Sequence, residues 1–578
     1  NTDLDGNYSV TVPKNGILVF SFIGFEEQRI NPEGRKTINV VLVEDKNVLD
    51  ETIVVAFGTT TKEAFTGSAS VMKSEQLQKR QTSNVANSLV GNVAGLQMRG
   101  ASGAPGAGAG SMNIRGIASM YASTEPLVIV DGATYSASLS NIPQSDIESV
   151  TVLKDAASAA LYGARGAAGV IIVTTKRSRS SDDIVNFDAR WGVNSRATQD
   201  YETITDPAEY YEASYAQLFN NYYYITGMSA EAANVKANQR MIEILGYQTY
   251  TVPEGQQLIG IDGKFNPNAT LGYAIKSGDE TYWLQPDNWK DLAYKKAMRQ
   301  EYNLSINGGN DKIDYYVSGR YLYREGVFNN ASEDIMNGYS FRAKVNAKVK
   351  PWLRYTGNLS YEGSAYNYGG FWEQDGSEDL TSSGILWNIT QNISPTIVPV
   401  NPDGTTTMYT NGIQFADSPI ASGRGGVFTD GRNKNSRKVN YWVITNRLVF
   451  DLTKWMNITA DYTYRRRDNL NSYRSYPTAN TWDKNMKNIV EMTNGSIYDF
   501  YHEARAYLNG HVANAYLNVN KSWGNHNFTA VAGSQFQDYR SSTSTIRQKG
   551  SISDKLAFIN MAQGTIERAD ESNTAYRT

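Results

Sequence analysis

The chain has no cysteine, and its only histidines are His502, His511 and His526. The first absence removes disulfides, thiolate metal sites and cysteine nucleophiles. The second leaves no ligand spacing for zinc or iron. No apolar run approaches the roughly 18 residues of a spanning helix, and mean hydropathy is −0.47. That excludes a helical membrane protein but not a barrel, whose alternating strands give only a weak hydropathy signal. An excess of charge is missing too: 55 Lys and Arg face 58 Asp and Glu, so no global positive field points to nucleic acid. The glycine-rich run from Gly103 to Gly110 is not followed by Gly-Lys-Ser/Thr, which argues against a phosphate cradle. Carboxylates abound, yet no pair stands out as acid and base. No enzyme, cofactor or metal is called for. The first residue is Asn1, with neither start methionine nor signal peptide, so further residues are expected in front.

What is abundant is aromatic: 38 Tyr and 10 Trp. From Asp183 onward these fall into long alternating segments. Ile313, Tyr315, Val317, Tyr321 and Tyr323 oppose Asp314, Ser318, Arg320 and Arg324; Phe341, Ala343 and Val345 oppose Arg342, Lys344 and Asn346. An aromatic face opposite a charged one suits lipid outside and a wet lumen inside, so Arg320 and Arg342 are expected to face water. A soluble sandwich has the same alternation, and connection length separates the two. Short links near 308–311, 350–352, 452–454 and 522–525 alternate with long ones near 197–297, 325–338, 364–436 and 468–501. Tight turns on one side of a membrane and long loops on the other give that pattern. Trp352, Trp455 and Trp523 all sit at short turns, where an aromatic girdle belongs. About nine strands are expected, with 541–578 mostly in a further long loop. A ring around a plug needs about 22, so the wall is expected to stop partway round. Helices are expected in the first long loop, from the cap signals at Asp206-Pro207 and at Ser229.

Ahead of this lies a different texture. Leu127–Val130 reads as a strand stopped by Asp131-Gly132, Ile147–Leu153 as a second strand and Gly169–Thr175 as a third. Asp155 is placed to cap an Ala-rich helix over 156–162 that Gly163 closes. The stretches PLVIVDGA (126–133) and IESVTVLKDAASAALYGARGAAGVIIVTTKR (147–177), with SLVGNVAGLQMRGASGAPGAGAGSMNIRG (88–116) before them, resemble the plug domain of TonB-dependent outer-membrane transporters, specifically the SusC-like (SusC/RagA) branch. The residues carrying the plug pattern are Arg115, Gly116, Asp131, Gly132, Lys154, Asp155, Tyr162, Gly163 and Gly169.

The segment Leu49, Asp50, Glu51, Thr52, Ile53, Val54, Val55 reads as a lone β-prone strand, suited to pairing with a partner's sheet. It resembles the TonB box of the same branch; as an alternative, it is the first strand of the plug. Three short strands, 8–12, 17–22 and 38–43, resemble the second half of a carboxypeptidase-regulatory-like β-sandwich. The expected fold is thus mainly β. A partial sandwich (1–44) precedes a linker with the box (45–58), a small α/β plug (59–182) and the first strands of a large antiparallel transmembrane β-barrel (183–578). The resemblance implies outer-membrane import of an oligosaccharide or peptide. It implies as partners TonB with its ExbB/ExbD energising complex, a SusD-like surface lipoprotein and outer-membrane lipid. Alternatives are a siderophore or cobalamin receptor, or a non-transporting all-β adhesin or glycan-binding protein. The acidic, aromatic stretch Phe371–Asp375 offers a stacking surface for a sugar or lid, or is only a loop tip.

Overall fold

In the computed structural model, the alternation that begins near residue 184 becomes one antiparallel sheet of ten strands, hereafter the wall. The residues described are 8–10, 16, 18–20, 28–32, 35, 37–41, 52–55, 58–61, 68–80, 82, 84–99, 105, 110–116, 125–155, 160–178, 182–196, 204–245, 248–277, 280–284, 294–327, 334–368, 413–414, 434–475, 480–483, 488–491, 500–523, 526–549 and 566–577.

The wall strands are Ile184–Asn194, Ala297–Gly309, Ile313–Glu325, Ile335–Lys350, Leu353–Tyr368, Lys434–Thr453, Met456–Ser475, Phe500–Trp523, His526–Lys549 and Ile566–Arg577. Nine match the segments expected from the alternation. The tenth corrects that reading: His526 begins a strand that runs on to Lys549, and Ile566–Arg577 returns beside it. Thr, Ser and charged residues dominate 541–549 and Ile566–Arg577, so period-2 hydrophobicity does not mark them. Each strand pairs with its sequence neighbour in the wall. At successive short turns the strands step in register. Ala347 lies opposite Ile313 while its strand continues three residues to Lys350. Phe450 lies opposite Leu353, with three more residues to Thr453. Val519 lies opposite Met456, with four more to Trp523.

One face of the wall is apolar and open. Leu304, Phe341, Val345, Ile444, Leu448, Ile458 and Phe528 are exposed there, and Trp352, Trp455 and Trp523 stand exposed at the short turns. The other face carries Tyr316, Ser318, Arg320 and Arg342, all buried.

They are buried by a five-stranded α/β domain. Its strands run in the order Ala69–Lys73, Ile147–Leu153, Val170–Thr175, Leu127–Val130, Ala133–Thr134. Val150, Val152, Ile171 and Val173 pack on one side against Leu77, Val85 and Leu89 of the helices Ser74–Lys79 and Val85–Leu89. Leu153, Val170 and Ile172 pack on the other side with Ile129. Strands covered on both faces read as continuous apolar runs, the texture these segments have. Gly169, at φ 94°, closes the approach to the third strand. A Cβ there would sit 2.7 Å from Ile114 Cδ1 and 3.1 Å from the Leu153 carbonyl.

Three local expectations change. Among the described residues of the three N-terminal segments, only Leu18–Phe20 is strand, and its partner is Gln28–Ile30; residues 8–10 and 38–41 are not strand, though the Tyr8 hydroxyl reaches the Ile38 carbonyl at 2.9 Å. Over 160–166 the chain makes 3₁₀ turns kinked at Gly163 (φ 60°, ψ −153°), not the end of an α-helix, and 156–159 lie outside the described residues. The Asp155 carboxylate accepts the Ser68 backbone N–H. Finally, Thr52–Val55 is not alone, because it forms an antiparallel hairpin with Gly58–Thr61. Leu49, Asp50 and Glu51 lie outside the described residues, as does Phe371–Asp375.

The first long loop folds as expected into helices, Pro207–Asn220 and Ala230–Leu245. Asp206 Oδ1 accepts the Ala208 N–H at 2.8 Å and Ser229 Oγ the Ala232 N–H at 3.2 Å. Tyr211, Tyr215, Met241, Leu258 and Ile259 form its small core.

Candidate functional site at the contact between the α/β domain and the wall

The turn Asp131-Gly132 has both residues at positive φ, 49° and 88°. It joins Leu127–Val130 directly to Ala133–Thr134, with Val130 opposite Ala133. A two-residue turn of this hand matches strand twist and needs residues tolerant of the left-handed region. Its tip points into the wall. Asp131 Oδ1 accepts the Thr175 N–H at 2.9 Å and Oδ2 the Thr175 hydroxyl at 2.5 Å. Asn358 Nδ2 donates to Oδ2 at 2.8 Å, and Lys344 Nζ to Oδ1 at 3.3 Å. Arg342 Nη1 stands 3.8 Å away. A side chain in place of Gly132 would meet Arg447 Nη2 at 2.7 Å.

Arg342 joins three acids. Its Nε lies 3.6 Å from Asp146, which closes the 3₁₀ turn Gln144–Asp146, and its Nη2 lies 3.9 Å from Glu362. The Tyr316 hydroxyl donates to Asp146 at 2.9 Å, and the Tyr135 hydroxyl donates to Glu362. Beside them Arg320 faces Glu301 at 3.7 Å. All of these charges are buried: Arg342 and Asp146 are 3% exposed and Glu362 is 4%. This corrects the expectation that Arg320 and Arg342 face a wet lumen. The polar face of the wall meets matching charge on the domain.

The pairs are long and incompletely hydrogen-bonded. Arg342 Nε, Arg320 Nη1 and Glu362 Oε1 have no hydrogen-bond partner among the described residues. Desolvation of such pairs offsets most of their attraction, so they set register and orientation more than they add stability. Burial pushes the Asp131 carboxyl up, but Lys344, Arg342 and the Thr175 hydrogen bonds outweigh it and hold the pKa at about 2. The Tyr135 phenol is pushed well above its ordinary range by burial and by Glu362.

Farther along the wall Arg465 Nη1 reaches the Thr134 hydroxyl at 2.7 Å, with its guanidinium 4.1 Å over the Tyr539 ring. Arg467 Nη1 donates to the Ser136 carbonyl at 3.2 Å, and Arg165 to Gln537 at 3.0 Å.

Of the residues picked from the plug pattern, Asp131 and Gly132 touch the wall. The described contacts of the others lie within the domain. Arg115 (φ 59°) donates its N–H to the Gly95 carbonyl at 2.8 Å, and Gly116 follows at φ 98°. Lys154 N–H reaches the Ser68 carbonyl at 3.0 Å. Tyr162 packs beside Ile129, Leu153 and Ile172. Sequence reasoning missed Asp146, Tyr135, Glu301 and Glu362. The available signal was the run of charge on the inner face of neighbouring strands, which no water-filled lumen requires. Among the described residues no cluster of His, Asp and Glu is placed to hold a metal.

Residues 61–170 match the family model described as TonB-dependent Receptor Plug Domain. The chain is 28% identical over 443 residues to TonB-dependent receptor SusC of Bacteroides thetaiotaomicron, covering 73% of this chain and 37% of that protein. It is 25% identical over 567 residues to TonB-dependent receptor P3 of Formosa agariphila, covering 98% and 48% respectively. The chain thus spans less than half the length of these relatives. In fold it is similar to the RagAB peptide importer in its open-open state, with a TM-score of 0.63 at 18% identity, over 91% of this chain and 53% of that one.

Proposed function

Since the chain is a SusC/RagA-like TonB-dependent receptor of the outer membrane, we propose that the complete protein imports a nutrient, an oligosaccharide or peptide, through the lumen its plug occupies. The divisions at 1–44, 45–58, 59–182 and 183–578 are proposed as its sandwich fragment, box-bearing linker, plug and partial barrel. The observation that carries the reading is the plug's attachment. Its Asp131 and Asp146 face Arg342 of the wall and its Tyr135 donates to Glu362 of the wall, contacts that hold orientation but resist separation weakly. A plug fixed by a continuous apolar seam would not be suited to displacement. TonB, energised by ExbB and ExbD, supplies the pull in this proposal, and a SusD-like lipoprotein closes the outer mouth.

The grip is proposed at Leu49, Asp50, Glu51, Thr52, Ile53, Val54 and Val55. Thr52–Val55 is already paired with Gly58–Thr61, so TonB either adds to the free edge of this hairpin or replaces Gly58–Thr61. Proline deletes a ladder donor and fixes φ. In the complete receptor, Val54→Pro should abolish uptake while surface binding of substrate persists, and Ile53→Val should be nearly silent. Thr60→Pro separates a grip from a mere hairpin: it breaks the same pairing yet leaves the box free, so uptake should continue. Normal uptake by Val54→Pro, measured beside unchanged binding, rejects the segment as the coupling element.

A further inference from the structure

Not every arginine on the inner face of the wall has an acid at ion-pair distance among the described residues. Near the long-loop ends of the strands, a cavity of about 100 Å³ lies between the wall and the plug segment 137–141. Arg324, Arg437 and Arg467 line it, together with Ser138, Asn141 and Tyr366. Arg324 and Arg437 lie within a few residues of the outer ends of their strands, at Glu325 and Lys434. The cavity is therefore on the side from which substrate arrives.

Arg320, lower on the strand of Arg324, and Arg342, on the strand beside it, stand against Glu301, Asp131, Asp146 and Glu362. No described carboxylate lies at ion-pair distance from Arg324, Arg437 or Arg467. Arg324 spends Nη1 on the Pro105 carbonyl at 3.2 Å and keeps a buried Nε with no partner among the described residues. Arg467 spends Nε on Asn469 at 3.1 Å and Nη1 on the Ser136 carbonyl. Arg324 and Arg467 are half-buried and Arg437 is exposed; guanidinium ions grouped in this way gain from an anion that joins them, and their planar fork fits a carboxylate by two parallel hydrogen bonds.

We propose that this cavity receives a carboxylate borne on one end of the imported molecule. A cavity of this volume is large enough to admit an acidic end group. The Ser138 hydroxyl and the Asn141 amide lie alongside, whereas the Tyr366 hydroxyl already donates to buried Asp334 at 2.7 Å. The inference rests on the import reading for the direction of entry, and its chemistry has two sources: a uronic acid in an oligosaccharide, or the C-terminus of a peptide.

The experiment uses the complete receptor in detergent and calorimetric titration with paired probes. One pair is trigalacturonate and its methyl ester; the other is a tripeptide and its C-terminal amide, with maltotriose as the neutral control. In at least one pair the acid should bind ten-fold or more tighter than its neutral form, and that pair identifies the source. Arg437→Gln removes a group outside every described hydrogen bond and ion pair, so folding should be unaltered. It should cost the acid ten-fold in affinity and leave the neutral form unchanged, with Arg437→Lys partly restoring binding. Equal affinities within both pairs, indifference to Arg437→Gln, or no binding of any acid at millimolar concentration each overturns the assignment. Uptake assays keep the two readings apart. Selective binding of the acid without TonB-dependent uptake defeats the import reading and leaves the cavity's chemistry standing.

Discussion

Arg342 of the wall and Asp146 of the plug stand 3.6 Å apart, both almost wholly buried, though they are 196 positions apart in the chain. Neither is placed by its local sequence. Each needs the other to be tolerable away from water, so each reports whether plug and wall have met in register.

Removing one partner should therefore hurt more than removing both. Arg342→Met leaves Asp131, Asp146 and Glu362 buried with less compensation, and an uncompensated buried charge costs about 3–5 kcal/mol. Protease cleavage of the plug in the intact receptor should accelerate accordingly. Adding Asp146→Asn should recover part of the loss, and a double variant worse than the single one contradicts the pairing.

Asp131 should make docking depend on pH at the acid extreme. The folded Asp131 pKa, about 2, lies below its ordinary 3.8. The stabilisation is complete above the unfolded value and is lost as pH falls through the folded one. It amounts to roughly 2 kcal/mol by linkage. Plug protection should weaken from about pH 4 to 2, and this acid-range loss should shrink in Asp131→Asn. A transition near pH 6 would point to another group.

Phe341 is exposed on the apolar face, midway along its strand. Phe341→Arg should impair membrane assembly by about 2–4 kcal/mol, as a charge does at the bilayer midplane. Phe341→Leu should assemble normally. Heat-modifiable gel migration of the complete protein reads the difference, and equal migration of both variants argues that this face is not in lipid.

Gly169→Ala tests the plug's internal packing. The residue sits at φ 94° with Ile114 and the Leu153 carbonyl inside the space of a Cβ. Strain and clash together should cost on the order of 1–3 kcal/mol, lowering the plug's thermal transition without altering the wall. Gly91→Ala has the same sign of φ but open space, and should cost less.

The wall was legible because strand, turn and loop lengths repeat: Tyr315, Val317 and Tyr321 against Ser318 and Arg320 need only period 2. The plug strands Ile147–Leu153 and Val170–Thr175 were legible as β-branched runs. Other features depended on distance in sequence. Nothing beside Glu362 announces Tyr135, and the Thr52–Val55 segment gives no hint that the Thr-rich stretch behind it folds back. The last strand, Ile566–Arg577, and the stretch 541–549 it pairs with were missed because their residues are mostly polar, so ladder hydrogen bonds, not burial, define them. The 3₁₀ turns at 160–166 replaced an α-helix end because Gly163 takes an extended, positive-φ conformation.

The register steps at the short turns have a mechanical consequence. Steps of three, three and four residues, at about 3.3 Å each, are spread over two strand spacings of about 4.8 Å per hairpin. If the three turns share one level at the membrane surface, the strands lean roughly 45° from the normal, near the upper end for barrels. A load applied to the plug along the normal then reaches the wall obliquely. At Arg342 and Lys344 it divides between sliding along a strand and prising neighbouring strands apart. The wall resists the second with an unbroken ladder of backbone hydrogen bonds, and the ionic contacts of the plug yield first.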